Sequence, residues 1–513
     1  MPGTPPSLIP GDPFDEALRA LVHPPAWPNP PAQSRYDLVV VGAGTGGLVS
    51  AAIGAALGAR VALVERDLMG GDCLNVGCVP SKAILAAARA WADARGAAAR
   101  VGGPAATGDG HFGAVMERMR RLRAELAPVD SAARFRELGV DVIFGEAVFT
   151  GRDRLVVADR TLSFRRAIVA SGARAAAPPI PGLADAGYLT NETIFTLIDR
   201  PPRMAVIGAG PIGCELAQAF ARLGVGVTLL SREPQLLPRE DPEAAAVVAR
   251  SLARDGVRYI SSADILSVDR AGPERRLRVR HLNAAGADGI ETLAVEVVLV
   301  AAGRVPNVEG MGLAAAGVAV GPRGVQVDDR LRTSNRRIYA VGDVSTRFRF
   351  THMADAEARL AVANALFWGM GGGRVSRLVV PWCTYTTPEV AHVGLTAADA
   401  AARGAGVETI TVPMREVDRA VLDGATEGFV RLHLARGSDR ILGATIVAEH
   451  AGDLLAEITL AMTRRLGLGA LGATIHPYPT RGEAVRKAAD QWRRHRLTPR
   501  ARRFLATFLR IVR

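Results

Sequence analysis

The 513-residue chain is poor in cysteine and nearly devoid of lysine, with four Cys in all and Lys only at positions 82 and 487. So few cysteines argue against a structural disulfide framework. No Cys/His pair stands near Cys73 and Cys78 to complete a tetrahedral set, so no structural metal is expected. The N-terminal stretch MPGTPPSLIPGDPFDEALRALVHPPAWPNPP is proline-rich and lacks the basic-then-apolar order of a secretion signal, so a cytoplasmic protein is expected. Gly, Arg or Asp interrupts every apolar stretch before ~18 residues, which argues against a membrane span. The body has no zinc-finger spacing and no aromatic-basic surface pattern, so nucleic acid is not an expected partner.

The remaining composition is that of a globular protein, 49% apolar and 22% charged. The net charge of +12 is concentrated: residues 481–513 carry eleven Lys and Arg against Glu483 and Asp490, which accounts for nine of the twelve charges.

One motif occurs twice. YDLVVVGAGTGGLVSAAIGAALGARVALVER (36–66) and RMAVIGAGPIGCELAQAFARLGVGVTLLSR (203–232) each read as apolar strand, GxGxxG turn, alanine-rich helix and second strand. Gly42, Gly44 and Gly47 in the first copy, and Gly208, Gly210 and Gly213 in the second, allow a pyrophosphate to approach a helix N-terminus. Two copies predict two dinucleotides. Glu65, 23 residues after Gly42, suits an unphosphorylated ribose such as that of FAD or NAD; the same offset from Gly208 reaches Ser231 followed by Arg232, which suits a 2′-phosphate and favours NADPH over NADH.

Other segments fit the same plan. RAIVASGARAAAPPIPG (166–182) and VVLVAAGRVPN (297–307) are apolar strands ending in small residues, among them Ser171, Gly172 and Gly303. RIYAVGDV (337–344) sets Asp343 just past a strand end, where a carboxylate can bind a polyol hydroxyl. Beyond about residue 376 alternating strands such as GFVRLHLA and ILGATIVAE, followed by helices, mark an α+β domain.

GGDCLNVGCVPSK (70–82) sets Cys73 and Cys78 five residues apart, with Gly71 and Asp72 before them and Lys82 after. With the two glycine motifs, VPNVEG, YAVGDV and HPYPTRGEA, this stretch resembles the pyridine nucleotide-disulfide oxidoreductases, the flavoprotein family of dihydrolipoamide dehydrogenase, glutathione reductase and mercuric reductase. The resemblance spans roughly 35–490. It implies an α/β fold with two Rossmann-like dinucleotide-binding domains and a C-terminal α+β dimerisation domain. The expected division is a proline-rich extension at 1–34, an FAD-binding domain at 35–182 and 302–376, an NAD(P)-binding domain at 183–301, a dimerisation domain at 377–490 and a basic tail at 491–513.

The resemblance further implies FAD and NADPH as cofactors and a redox disulfide between Cys73 and Cys78, with Gly77 permitting the distortion that joins sulfurs five residues apart. Cys78 becomes the flavin-side thiolate and Cys73 the thiol that meets substrate. Lys82 and Glu215 match the family's ion pair near the flavin. Cys214 and Cys383 read as small hydrophobes. A homodimer is implied in which each subunit lends its HPYPTRGE loop to the other's disulfide.

Where the disulfide reductases carry His before Pro-Thr, this chain has Tyr478, followed by Pro479, Thr480 and Glu483. A phenol with reference pKa ~10 is a poor proton shuttle at neutral pH. This substitution, with Tyr188 in GYLT, resembles mercuric reductase, whose soft cation is held by thiolates at Cys73 and Cys78. The expected acceptor is Hg(II) or another soft or small electrophile. Several departures separate the chain from that pattern: no cysteine follows Cys383, no N-terminal metal-binding cysteine domain is present, and Asp72 stands where Thr is usual, beside Cys73. Pro211 replaces the nicotinamide-covering Tyr of glutathione reductase. The alternatives are a dihydrolipoamide dehydrogenase with His476 as base, and a non-enzymatic flavin redox sensor tethered by its tail.

The tail RLTPRARRFLATFLRIVR (496–513) predicts a helix capped by Thr498 with Pro499 in its first turn, apolar residues at three- and four-residue spacing and a band of arginines. Two roles suit it: packing on its own dimer, or peripheral contact of 497–513 with anionic lipid.

Overall fold

The computed structural model describes residues 7–282, 288–367 and 372–513. Residues 1–6 of the expected 1–34 extension, 283–287 of the expected 183–301 domain and 368–371 of the expected 302–376 segment lie outside them. The chain divides into two compact units: Met1–Gly208, Ala219–Arg232 and Ala263–Arg377 in the first, and Ala209–Gln218, Glu233–Ser262 and Leu378–Arg513 in the second.

The first unit begins with α1 (Pro13–Val22), inside the segment expected to be an extension. Asp12 caps it by accepting from the Phe14 and Asp15 amides at 3.0 Å, and Pro13 occupies a first-turn position where no amide is needed. Leu18 and Val22 enter the core of the unit. The first repeat follows as β1 (Tyr36–Val41), α2 (Thr45–Ala56) and β2 (Val61–Glu65). Next come α3 (Gly71–Asn75), α4 (Cys78–Val101), α5 (Phe112–Leu126) and β3 (Val140–Phe144), then β4 (Ala147–Gly151), β5 (Arg154–Val157) and β6 (Arg160–Val169).

The main sheet runs in the order β3, β2, β1, β6, and strand Ile338–Ala340 pairs parallel to the second half of β6. Strand β1 is buried on nearly all positions, the pattern of a parallel strand covered on both faces. Gly42, Ser171 and Asp343 each follow the carboxyl end of a strand in this sheet, where open α/β sheets bind ligands. The second repeat contributes two parallel strands to this unit, and Arg203–Ile207 lies between its partner Gly226–Leu230 and the later strand Val297–Val300.

The second unit is built on a five-stranded antiparallel sheet in the order Pro381–Thr384, Glu389–Gly394, Ile441–Ala448, Phe429–Ala435, Val407–Pro413. Val430, Leu432 and Leu434 face one side of the sheet with Ile410 and Val412. They pack with Leu455 and Ile458 of helix Ala451–Arg464 and with Val485 and Ala488 of helix Glu483–Arg496. The tail forms the expected helix, Pro499–Ile511, with the Thr498 hydroxyl accepting from the Ala501 amide at 3.2 Å. None of its residues is buried.

Glu240 is buried in this unit. One of its oxygens accepts from the Trp382 indole at 2.6 Å and the other has no hydrogen-bond partner among the described residues. Burial pushes its pKa up to about 7. A carboxyl that holds its proton more tightly folded than unfolded contributes full stability below the unfolded value of ~4.3 and loses it as pH rises through the folded one. Glu240→Gln keeps an acceptor for Trp382. It should raise the Tm relative to the parent at pH 8 and leave it nearly unchanged at pH 4; equal shifts at both values would contradict the assignment.

Candidate functional site

Two cysteines five apart on one continuous helix would point in different directions. Here the helix is broken between them: α3 ends at Asn75 and α4 begins at Cys78. A Cβ on Gly77 would lie 2.7 Å from the Asp72 carbonyl oxygen, so only glycine fits the break. Pro80 falls in the first turn of α4, where its missing amide costs nothing. The break sets the two thiols close enough that Cys78 is the largest influence on the Cys73 thiol. Both sulfurs are free thiols.

Cys78 opens the 24-residue α4, whose N-terminal amides favour a thiolate, and its sulfur lies 3.3 Å from the Thr351 hydroxyl. Cys73 differs: the Cys78 contact, then burial, push its thiol up, and Asp130 adds to the rise. Asp72 directly precedes Cys73, where a bare carboxylate would oppose a thiolate. Instead the Asp72 carboxylate pairs with Arg304, whose Nε also reaches Asp343 at 3.2 Å. Burial works against the Arg304 charge, but these two carboxylates prevail and raise its pKa. Burial raises Asp343 as well. Arg304 Nη2 donates to the Ala173 carbonyl at 2.5 Å, and Arg349 donates to the Arg304 carbonyl at 2.5 Å.

The first glycine turn fits a dinucleotide pyrophosphate. A Cβ on Gly42 would lie 2.5 Å from the Ala170 carbonyl oxygen, one on Gly47 would lie 1.7 Å from the Gly42 carbonyl oxygen, and one on Gly71 would lie 2.6 Å from the Gly44 Cα. Each glycine is therefore required for strand, helix and second turn to close together. Gly44 caps α2 without any side-chain hydrogen bond, which leaves the first amides of that helix to an anion. Glu65 accepts from the Ala43 amide at 2.6 Å and the Asp67 amide at 2.9 Å, and burial raises it. The Ser171 hydroxyl donates to the Asn307 carbonyl at 2.8 Å, and the Asn307 amide donates to the Gly172 carbonyl at 3.0 Å. A Cβ on Gly172 would meet nothing, and Gly303 is equally open, its nearest neighbour 3.9 Å away. Glu357 accepts from the Gly342 amide at 2.7 Å and is pushed up to about 7 by burial.

At the second turn Gly208 has φ +110°, and its Cβ would lie 2.6 Å from the Ala301 carbonyl oxygen. Gly210 is open, Pro211 starts helix Pro211–Arg222, and Gly213 lies in its first turn. Ser231 is buried after strand Gly226–Leu230, and Arg232 is exposed. Lys82 is half-buried on α4. Tyr188 is half-buried beside the Leu189–Leu299 bridge. Glu215, buried, accepts from the Tyr385 amide at 2.9 Å. Cys214 is fully buried and burial pushes its thiol up, as a small hydrophobe should behave, whereas Cys383 is half-buried.

In the second unit Tyr478 is exposed and donates to Asp418 at 3.0 Å, a hydrogen bond that raises the phenol further. Lys487 joins this pair to Glu483, lying 3.6 Å from Asp418 and 3.2 Å from Glu483. His476 stands apart from that network. Its Nε2 faces Glu457 at 3.0 Å and its Nδ1 faces the Thr474 carbonyl at 3.0 Å, so both ring nitrogens are engaged. Sequence reasoning did not single out Arg304, Thr351 or Asp418. Arg304 adjoins Gly303 inside a stretch that was read for its strand, while Thr351 and Asp418 carry no local signal.

The family model for pyridine nucleotide-disulphide oxidoreductases matches residues 36–358, and the model for the dimerisation domain of the same family matches 380–489. A mercuric reductase of Bacillus cereus is 35% identical over 454 residues, 88% of this chain and 71% of its own length. A dihydrolipoyl dehydrogenase of Thermus scotoductus is 34% identical, over 89% and 97% respectively. Among solved structures, a Cu(II) complex of the HOCl-induced flavoprotein disulfide reductase RclA from Escherichia coli is similar with a TM-score of 0.78 at 26% identity, over 90% of this chain and all of that one.

Proposed function

Because the chain belongs to the pyridine nucleotide-disulphide oxidoreductases, FAD-binding enzymes that use NAD(P)H, we propose that it transfers two electrons from NADPH, by way of a Cys73–Cys78 disulfide, to Hg(II) or another soft electrophile. The observation that carries this reading is the helix break that sets two unlike thiols together, Cys78 at the N-terminus of α4 and Cys73 in the preceding short helix, where its neighbour and burial push its thiol up. Bound FAD supplies the two-electron link between nicotinamide and disulfide. The residues assigned to hold it are Gly42, Gly44, Gly47 and Gly71 at the pyrophosphate, Glu65 at the ribose, Ser171, Gly172, Gly303 and Asp343 along its length, and Lys82 as a fixed cation. Gly208, Gly210, Gly213, Ser231 and Arg232 are assigned to NADPH.

Two electrons entering the disulfide break its S–S bond. Cys78 keeps the charge, stabilised by the α4 amides, and Cys73 takes the proton. A soft divalent cation displaces that proton and is held by both sulfurs; when the two thiolates return their two electrons to it and re-form the S–S bond, the neutral atom has no charge for sulfur to retain and leaves. No general acid is required, in keeping with a Tyr478 phenol that its hydrogen bond to Asp418 makes a still weaker proton donor. Tyr478 and Glu483 are assigned to the partner subunit's cysteine pair within a homodimer. Tyr188 is assigned to the acceptor side. The His476–Glu457 pair supports a second reading, a lipoamide-type disulfide reductase with His476 as base.

NADPH oxidation by the FAD-loaded enzyme should be faster with Hg(II) in excess thiol than with lipoamide or with oxygen alone, and Cys73→Ser or Cys78→Ser should abolish it. Faster turnover with lipoamide, lost in His476→Ala, would establish the second reading. Oxidation by oxygen alone would leave only a flavin redox sensor.

Cofactor choice is tested at Arg232, which is exposed at the end of the second repeat. Arg232→Ala should lower the kcat/KM ratio of NADPH over NADH by about 1–3 kcal/mol, the contribution of a charge-assisted hydrogen bond to phosphate. An unchanged ratio would refute the pairing.

We infer two roles open to the tail, packing on its own dimer and peripheral contact with anionic lipid, and the second is the one tested. No helix among the described residues is long and apolar enough to cross a membrane, but Phe504, Leu505, Phe508 and Leu509 of the tail helix are exposed alongside its arginines. A basic amphipathic helix of this kind gains on the order of 1 kcal/mol per arginine near such a surface. Co-sedimentation with anionic but not neutral vesicles, weakened by salt and lost on removing 497–513, is expected. No binding at low salt would leave packing against a second copy as the role of the helix.

A further inference from the structure

The N-terminal segment reaches the loop between the two cysteines. The carbonyl of Asn75 ends α3, and the last carbonyls of a helix have no partner within it. Arg123 of α5, fully buried, donates to that carbonyl through Nη1 at 2.7 Å, and its Nη2 pairs with Asp15 of α1 at 2.5 Å. The other Asp15 oxygen accepts from the Ile9 amide at 2.8 Å. Asn75 in turn donates from its side chain to the carbonyls of Met69 at 3.0 Å and Gly71 at 2.9 Å. A second tie comes from the end of α1, where the Val22 carbonyl accepts from the Met69 amide at 3.1 Å.

We propose that Asp15 and Arg123 are positioning residues for the Cys73–Cys78 loop, so that the N-terminal segment sets the reactivity of the cysteine pair through the Asn75 carbonyl. The proposal rests on the redox reading of that pair. Arg123 occupies a site with almost no water, and it can remain charged there because Asp15 compensates it. The guanidinium fork meets a carboxylate with one arm and the loop carbonyl with the other, a geometry that a lysine cannot reproduce. Through Arg123, α1 is thereby tied to the backbone of the residue that lies between the two cysteines in the sequence.

Asp12 supplies an internal control. It pairs with Arg120, on the same helix as Arg123, at 2.7 Å and accepts from the Phe14 and Asp15 amides of α1, on neither side reaching the Asn75 carbonyl that Arg123 holds. Two readouts apply to the FAD-loaded protein: the equilibrium constant for dithiothreitol reduction of the Cys73–Cys78 bond, and the iodoacetamide alkylation rate of each thiol, located by mass spectrometry. Asp15→Asn and Arg123→Lys should each change them by about fivefold or more, and Asp12→Asn by less than about twofold even where it lowers the Tm as much. If Asp15→Asn does not fold, Arg123→Lys, which keeps the charge opposite Asp15, carries the comparison. Unchanged values in the variant that folds, or an equal change in Asp12→Asn, would reduce Arg123 to a structural tie. If the parent forms no dithiothreitol-reducible bond, the redox reading fails, and the alkylation rates of the free thiols still decide the positioning role.

Discussion

The contact between Gly77 and the Asp72 carbonyl governs the cysteine site. Any side chain at 77 would strike that oxygen, so the backbone can turn there only with glycine, and the turn converts one helix into two. The consequences for the sulfurs are opposite. Cys78 gains the amide end of a long helix, while Cys73 is left in the preceding short turn, where its neighbour and its burial hold it protonated. The asymmetry of the pair thus comes from backbone direction and needs no dedicated acid or base beside it.

Charges around this turn are arranged to keep the asymmetry intact. Asp72 directly precedes Cys73 and would oppose any thiolate there, yet Arg304 engages it together with Asp343. On the other side, Arg123 sits beside the loop backbone with its charge compensated by Asp15. Each cation on these flanks is engaged by a carboxylate close by, Arg304 by two and Arg123 by one. Asp130, the one acid that contributes to the rise at Cys73, acts in the same direction as burial.

Much of this was legible in the sequence because glycine spacing and hydrophobic period are local signals. Gly42, Gly47 and Gly208 sit where a Cβ would collide with backbone, and the tail helix starts at the cap read from Thr498 and Pro499. What was not legible depends on contacts between distant segments. Arg304 meets Asp72 across 232 residues, Thr351 meets Cys78 across 273, and Tyr478 meets Asp418 across 60. The N-terminal segment was misleading for a related reason. Its prolines suggested an appendage, but Asp12, Asp15, Leu18 and Val22 have partners in the core that composition cannot reveal.

Under the proposed function, a Cys73 thiol that holds its proton tightly acts as a filter on the acceptor. Any cation bridging the two sulfurs must first expel that proton, and the cost is the same whichever cation arrives. Only ions whose thiolate affinity exceeds this fixed cost can bind, which favours soft ions such as Hg(II) over oxygen-seeking ones. A disulfide acceptor faces the opposite demand, because exchange releases a thiolate that has to be protonated. The group at the expected shuttle position is the Tyr478 phenol, which Asp418 makes a weaker acid still. The raised thiol and the raised phenol therefore select in the same direction, one admitting only soft ligands and the other withholding the proton that disulfide exchange consumes.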